Sequence, residues 1–405
     1  MTSESPEQLT LKNARAALPD RVVSNCTIQV VDGRIARIES HGPATADESI
    51  DLQGATVFPG FIDVHIHGAI GVDVNSADAA GLLRVSEFLA SKGVTAWLPT
   101  LVPGPPEQYE RAIAAISEVM VQQNRGVATG ARVLGVHYEG PFVSSEQCGA
   151  LHLEYFRTFK SAGDLDSIPT IATSALQAGG PRTQPVHMIT VAPEIDGGID
   201  LIRELQQRRW IVSIGHTRAT PEVLNQAKDA GAQHMTHFMN AMSPLHHRAP
   251  GPVGWGLLND DVSIDLIADG IHLDPMMLKV LLRTVTAKRL ALISDAIAAT
   301  GLGDGDYEIW GEKITVENGR TRNARGSIAG SVITTLDAVK MMLSLGAPEC
   351  DVARMASGNP AQLLGIGQDC GSIEEGKQAD FVVLDANFNV KLSVLQGRVS
   401  KAGQA

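Results

Sequence analysis

Eight short apolar runs recur along the central three hundred residues of this chain, and they constrain its fold more than any other feature. They occupy residues 61–67, 94–101, 132–138, 187–192, 211–215, 233–237, 263–267 and 290–294. Several are separated by amphipathic patterns of helical period, at 199–209, 221–230 and 275–286. Eight such units predict an α/β protein with a closed (β/α)8 TIM barrel. A doubly wound parallel sheet is the alternative fold.

An inserted segment follows the last of the eight runs. Residues 307–331 carry strand-like patterns around Asn318-Gly319, a pair favoured in two-residue turns, and therefore predict a hairpin. A helical pattern resumes at 334–345.

Both ends of the chain carry β patterns outside these units. Residues 27–31 and 34–38 flank Asp32-Gly33, another favoured turn pair, and a second β pattern runs from 371 to 385. We expect the two ends to pair in a small β-sandwich domain beside the barrel. The predicted boundaries are 1–57 for the first part of the sandwich, 58–368 for the barrel and 369–405 for the second part.

Composition and charge exclude several classes of protein. The chain has 405 residues, 44% of them hydrophobic, and a formal net charge of −12 without a dense run of Lys or Arg. Nucleic acids and anionic membranes are bound through basic surfaces, so neither is an expected partner. No apolar run approaches the roughly 20 residues of a membrane helix, and residues 1–8 lack a secretory pattern, so we expect a cytoplasmic protein. The four cysteines have no Cys-x-x-Cys spacing, which indicates neither disulfides nor a structural zinc site.

Two histidines close the first apolar run, in Phe61-Ile62-Asp63-Val64-His65-Ile66-His67-Gly68. Side chains two residues apart on a strand point the same way, so His65 and His67 can bind one metal ion. On this motif alone, a fortuitous pair is the alternative interpretation.

Further polar residues close other predicted strands, where barrel enzymes place their chemistry. They are Glu139 on the third, His216 on the fifth, His237 on the sixth and Asp295 on the eighth. Six imidazoles and carboxylates at one mouth suit zinc, iron(II), manganese or cobalt. An open coordination position on such an ion turns water into a nucleophile near neutral pH.

These residues, in this order, resemble the amidohydrolase superfamily, and in particular its N-acetylglucosamine-6-phosphate deacetylases. The resemblance spans nearly the whole chain and rests on the segments 59–68, 139–141, 192–194, 215–217, 237–242, 269–272 and 294–296. Other members of the superfamily often bridge their ions through a modified lysine, whereas Glu139, followed by Gly140-Pro141, takes that place here.

The resemblance implies a divalent metal, one or two ions per subunit, with zinc favoured and iron, manganese or cobalt as alternatives. The implied ligands are Glu139, His216 and His237 for one ion and His65, His67, Glu139 and Asp295 for a second. A metal-activated hydroxide would attack the acetamide while Asp295 takes the proton and delivers it to the departing amine. A role for Asp295 as a ligand alone is the alternative.

The resemblance also implies the substrate contacts. They are Ala150, His152, Asn240, Ala241, Arg248, His272, Ile328, Ala329 and Gly330. Arg248 corresponds to a phosphate-binding arginine that reaches a neighbouring subunit's site, which implies a homodimer. The family's Gly-x-His triplet is lengthened here to Gly149-Ala150-Leu151-His152, so either the loop bulges and His152 still polarises the amide, or that contact is lost. Cys148 on this loop lies either near the sugar or apart from it.

The residues and the resemblance together predict metal-dependent hydrolysis of N-acetyl-D-glucosamine 6-phosphate to D-glucosamine 6-phosphate and acetate, in amino-sugar catabolism or cell-wall recycling. The galacto epimer is an alternative substrate, since one hydroxyl distinguishes the two sugars. Hydrolysis of a cyclic amide or deamination of a base is opposed by the missing bridging lysine and by Arg248 with Asn240-Ala241. An inactive family member with an interaction role is opposed by the intact ligand set.

Overall fold

The computed structural model describes residues 7–40, 49–127, 129–176 and 184–401. Five strands precede the barrel: β1 (Gln8–Ala17), β2 (Val22–Val31), β3 (Arg34–Ser40), β4 (Ser49–Asp51) and β5 (Thr56–Pro59). The turn between β2 and β3 is Asp32-Gly33, with both residues at positive φ. The predicted hairpin is therefore confirmed, because these two residue types tolerate that backbone conformation.

Eight parallel strands then form the barrel. The strands of this region are β6 (Phe61–Ile66), β7 (Gly68–Ala69), β8 (Val72–Asp73), β9 (Val94–Leu101), β10 (Arg132–Val133), β11 (Gly135–Glu139), β12 (Val186–Val191), β13 (Ile211–Ile214), β14 (His234–Met235), β15 (Ser263–Ile267) and β16 (Leu290–Ile293). The barrel order is β6-β9-β11-β12-β13-β14-β15-β16. The ring closes where Ile66 bridges Ala296 and the Asp295 N–H donates to the His65 carbonyl at 3.0 Å. Closure confirms the barrel and excludes the doubly wound sheet.

Helices cover the outside of the barrel. They are α1 (Ala79–Ser91), α2 (Pro106–Asn124), α3 (Thr173–Leu176), α4 (Gly198–Gln207), α5 (Pro221–Asp229), α6 (Gly251–Leu258), α7 (Pro275–Thr284), α8 (Thr335–Ser344), α9 (Glu349–Ala353) and α10 (Asn359–Leu363). Capping sets the start of α7, where the Asp274 carboxylate accepts from the Met276 N–H at 2.7 Å and Pro275 lies in the first turn. No helix in the described ranges is long and apolar enough to cross a bilayer.

The inserted segment is a three-stranded antiparallel sheet, β17 (Gly305–Ile309), β18 (Glu312–Glu317) and β19 (Arg320–Arg322). The hairpin predicted around Asn318-Gly319 joins β18 to β19. A second two-residue turn, Trp310-Gly311, joins β17 to β18. The sequence pattern does not predict this second turn, because tryptophan is not a residue that favours turns.

The two chain ends meet in one sheet. The last strands are β20 (Phe381–Leu384), β21 (Val390–Leu395) and β22 (Arg398–Lys401), and the order is β22-β21-β20-β5-β1-β2-β3, with β4 beside β1. Because successive side chains along a strand point to opposite faces, this mainly antiparallel sheet has two apolar faces. Val57 packs in the core of the terminal domain, and Phe58 packs in the core of the barrel. The separate terminal sheet is confirmed, and the boundaries at 57 and 368 stay predictions.

Candidate metal centre and substrate cavity

The six predicted ligands lie at the carboxyl ends of barrel strands. His65 lies within β6 and Glu139 ends β11, whereas three others follow their strands by two residues: His216, His237 and Asp295. The backbones of these last three have φ of 47°, 33° and 52°, in the left-handed region that non-glycine residues rarely adopt. Strained backbone of this kind is concentrated at functional sites, which indicates that these conformations serve to place the three side chains at the mouth of the barrel.

One cluster consists of His65, His67 and Asp295, all buried. The two Nε2 atoms lie 3.0 Å apart, and Asp295 Oδ1 is 3.1 Å from His67 Nε2 and 3.5 Å from His65 Nε2. The prediction that the two imidazoles face the same way agrees with this geometry.

A second cluster consists of Glu139, His216 and His237. Glu139 Oε1 is 2.9 Å from His216 Nε2 and 3.0 Å from His237 Nε2, and the two nitrogens are 3.1 Å apart. The other carboxylate oxygen, Oε2, lies 3.2 Å from His67 Nε2 in the first cluster. Glu139 therefore joins the two clusters.

Backbone carbonyls set the tautomers of three of these histidines. Nδ1 of His67 lies 3.2 Å from the Thr100 carbonyl, and Nδ1 of His216 lies 2.7 Å from the Gln147 carbonyl. Nδ1 of His237 lies 3.2 Å from the carbonyl of a residue in its own turn, Asn240. Because a carbonyl only accepts, Nδ1 carries the proton in each neutral ring, and Nε2 keeps a lone pair directed at the clusters. This donor set fits a divalent metal.

The charges of the clusters favour a cation. Burial alone would lower the pKa of His67, but hydrogen bonding to Asp295 and Glu139 raises it to about 10. Burial also opposes ionisation of Glu139, yet hydrogen bonds from His216 and His237 hold its pKa well below the usual range. Ionised carboxylates in a buried site stabilise positive charge strongly, and a dication supplies more of it than a proton does.

A cavity of about 320 Å³ opens above both clusters. Six of the nine predicted substrate residues line it: Ala150, Asn240, Ala241, His272, Ile328 and Gly330. The ring of His272 is oriented by Asp269, whose Oδ2 lies 2.7 Å from its Nδ1. The structure therefore gathers residues from four separate loops around one space.

Three predicted substrate residues lie elsewhere. Ala329 is fully buried behind the cavity wall, and Arg248 is exposed on the loop before α6. His152 lines a neighbouring cleft of about 450 Å³, where its Nδ1 lies 3.3 Å from Glu154. Trp310, which no sequence pattern marked as a site residue, lines both spaces. The sequence signal that could have identified it is a Trp-Gly pair between two segments in which apolar and polar residues alternate.

Comparison with known proteins decides the family. A sequence model of the amidohydrolase family matches residues 56–400. The chain belongs to the amidohydrolase family. The resemblance stated from the motifs is thereby confirmed, and this family implies a divalent metal. The two clusters are the candidate ligand groups of this amidohydrolase.

This amidohydrolase is similar along most of its length to characterised proteins. It is 33% identical to N-acetylglucosamine-6-phosphate deacetylase from Bacillus subtilis (strain 168), over 97% of each chain. It is 34% identical to N-acetylgalactosamine-6-phosphate deacetylase from Escherichia coli O157:H7, over 92% of this chain and 94% of that one. A solved mutant of N-acetyl-D-glucosamine-6-phosphate deacetylase from Mycobacterium smegmatis, in complex with N-acetyl-D-glucosamine-6-phosphate, superposes with a TM-score of 0.84 at 30% identity. That alignment covers 98% of this chain and 99% of the other.

Proposed function

We propose that this amidohydrolase hydrolyses N-acetyl-D-glucosamine 6-phosphate to D-glucosamine 6-phosphate and acetate. The observation that carries the proposal is the pair of histidine and carboxylate clusters, joined by Glu139, at the base of a cavity lined by Asn240 and His272. The full-length similarity to deacetylases of N-acetylhexosamine 6-phosphates supports it.

The metal would be held by the two clusters already described. One or two divalent ions per subunit are proposed, with zinc first and iron, manganese or cobalt as alternatives. When bound, the metal supplies a Lewis acid that makes water a nucleophile at neutral pH and polarises the amide carbonyl. His67, His216 and His237 are oriented for this role by the carbonyls that fix their Nδ1 protons.

Asp295 is proposed as the proton carrier. Its pKa lies below the usual value, because His65 and His67 outweigh the effect of burial, so it is ionised and able to accept a proton from water. Its backbone is fixed on both sides, since its N–H donates to the backbone carbonyl of His65 and its own carbonyl accepts from the backbone N–H of Ser331 at 2.7 Å. As the water oxygen bonds to the acyl carbon and the C–N bond breaks, the same proton passes from Asp295 to the departing nitrogen.

The phosphate is proposed to interact with His272 and with Arg248 of a neighbouring subunit in a homodimer. Arg248 is exposed, and so is an apolar side chain of the same loop, Leu245, at 55%. Exposed apolar side chains near a cationic loop support a subunit contact there. The sugar ring would lie against Asn240, Ala241 and the 328–330 segment.

The galacto epimer is a second candidate, favoured by the similarity to the Escherichia coli N-acetylgalactosamine-6-phosphate deacetylase. The test is acetate release from N-acetylglucosamine 6-phosphate, its galacto epimer and unphosphorylated N-acetylglucosamine, with a defined divalent metal and a chelated control. Metal-dependent turnover that prefers the phosphorylated gluco sugar supports the proposal. A preference for the galacto epimer would mean that N-acetylgalactosamine 6-phosphate is the substrate instead. Equal turnover of phosphorylated and unphosphorylated sugars would contradict the phosphate-binding roles of Arg248 and His272. A cytoplasmic location stays a prediction.

A further inference from the structure

The backbone of Trp310 is in a conformation that its residue type disfavours. The turn Trp310-Gly311 joins β17 to β18 with φ of 55° and 75°, a pattern that indicates a type I′ turn. The next turn of the same sheet, Asn318-Gly319, has φ of 51° and 73° and carries the favoured residue at the same position. A bulky aromatic side chain at such a φ is an outlier, which points to a role outside the turn.

The indole lies at the edge of the candidate metal centre. Its ring is 5.3 Å from the His67 ring, centroid to centroid, at an interplanar angle of 84°. It packs against an apolar cluster that includes Val102 and Leu151, and against another that includes Ala150 and Ala298. The same residue lines both the 320 Å³ cavity and the neighbouring 450 Å³ cleft, so it lies at the border between the two spaces.

The cavity lining is mixed in polarity. Trp310, which packs against His67, contributes apolar surface together with Leu151 and Ala150, whereas Asn240 and His272 contribute polar groups. An N-acetyl sugar phosphate has a single fully apolar group, the acetyl methyl. With the reacting carbonyl at the metal centre and the sugar phosphate against Asn240 and His272, that methyl would point towards Trp310.

We propose that the indole of Trp310 forms the end wall of the acyl subsite and restricts the enzyme to acetyl and similarly short acyl groups. The inference rests on the proposed deacetylase function and adds to it a residue that determines acyl specificity. A longer acyl chain would meet the indole, and removing the indole would join the cavity to the neighbouring cleft.

The experiment compares kcat/KM for N-acetyl- and N-butyrylglucosamine 6-phosphate in the metal-loaded wild type, Trp310→Ala and Trp310→Asn. Trp310→Asn is the informative variant, because it removes the indole while giving the turn a residue it prefers. Asn318→Ala perturbs the other turn of the same sheet and is the matched control. We expect the acetyl to butyryl ratio to fall at least about tenfold in both Trp310 variants and to stay unchanged in Asn318→Ala.

Binding gives a readout that does not need turnover. In an Asp295→Asn background, calorimetry should show that Trp310→Asn increases the affinity for the butyryl sugar relative to the acetyl sugar. An unchanged acetyl to butyryl ratio in both Trp310 variants of an active enzyme would overturn this inference alone. If the metal-loaded wild type hydrolyses neither sugar, the proposed function falls and the inference falls with it.

Discussion

Replacing Glu139 by Gln is expected to remove every bound ion, because its two oxygens serve both clusters. Oε1 lies 2.9 Å from His216 Nε2, and Oε2 lies 3.2 Å from His67 Nε2. A glutamine of nearly the same shape turns an N–H₂ group, which cannot bind a metal, towards one cluster. It offers the other cluster only a neutral oxygen, which does not replace the negative charge of the carboxylate. His67→Asn and His216→Asn each change one cluster only.

The expected magnitude follows from linkage. Each ion stabilises the fold by about 2.7 kcal/mol when its free concentration is a hundred times Kd. A chain of 405 residues has an unfolding entropy of roughly 850 cal/mol/K, so each ion raises Tm by about 3 °C. Chelation should therefore lower the Tm of the wild type by about 3 °C per ion and leave that of Glu139→Gln unchanged. A histidine variant should keep the contribution of the unaffected cluster.

The assay counts ions by mass spectrometry after reconstitution with one divalent metal, and it measures Tm by calorimetry with and without chelator. Glu308→Gln changes an exposed carboxylate at the neighbouring cleft and is the control, with metal content equal to the wild type. Full metal content in Glu139→Gln, or the loss of one ion out of two, would refute the reasoning that this carboxylate serves both clusters.

Three further predictions concern single residues. Asp295→Asn should lower kcat by about a thousandfold while the ion at the other cluster stays bound, as steady-state kinetics and metal analysis would show. Burial lowers the pKa of His187 to about 4, below the 6.5 or so of an unfolded chain, so the unfolded state binds more protons between these pH values and stability falls on acidification. Denaturant titrations should therefore show that this residue contributes about 2 kcal/mol less to the free energy of unfolding at pH 5 than at pH 7. The His187→Gln variant should lack this pH-dependent contribution. Arg132 pairs with the buried Asp380 at 2.7 Å. The Arg132→Met variant should therefore lose about 3 kcal/mol of unfolding free energy, because it leaves a buried carboxylate without its partner. In a double-mutant cycle, adding Asp380→Asn should restore part of that loss.

Local patterns were sufficient to predict the barrel and the positions of the six acids and histidines. Each strand is a short apolar run, and a residue at or just after its carboxyl end lies at the mouth of the barrel, so Glu139 and Asp295 could be placed without knowing their neighbours. Turn chemistry placed Asn318-Gly319 in the same way.

The remaining features depend on contacts between distant segments. The carbonyl of Gln147 that orients His216 comes from another loop, and no residue type encodes a carbonyl contact. The position of Trp310 beside His67 depends on how the inserted sheet packs over the barrel, and its turn contradicts local preference. His152 was predicted from a motif whose spacing differs here by one residue, and its side chain lines the neighbouring cleft.

The terminal sheet has a consequence for how the protein is made. Strand β5 is joined to β6, the first strand of the barrel, through Gly60 alone, yet its partner β20 is synthesised more than three hundred residues later. During translation one edge of β5 is thus without its partner while all eight barrel strands leave the ribosome. An unpaired strand edge can pair with other nascent chains, so slow synthesis between β16 and β20 should promote aggregation.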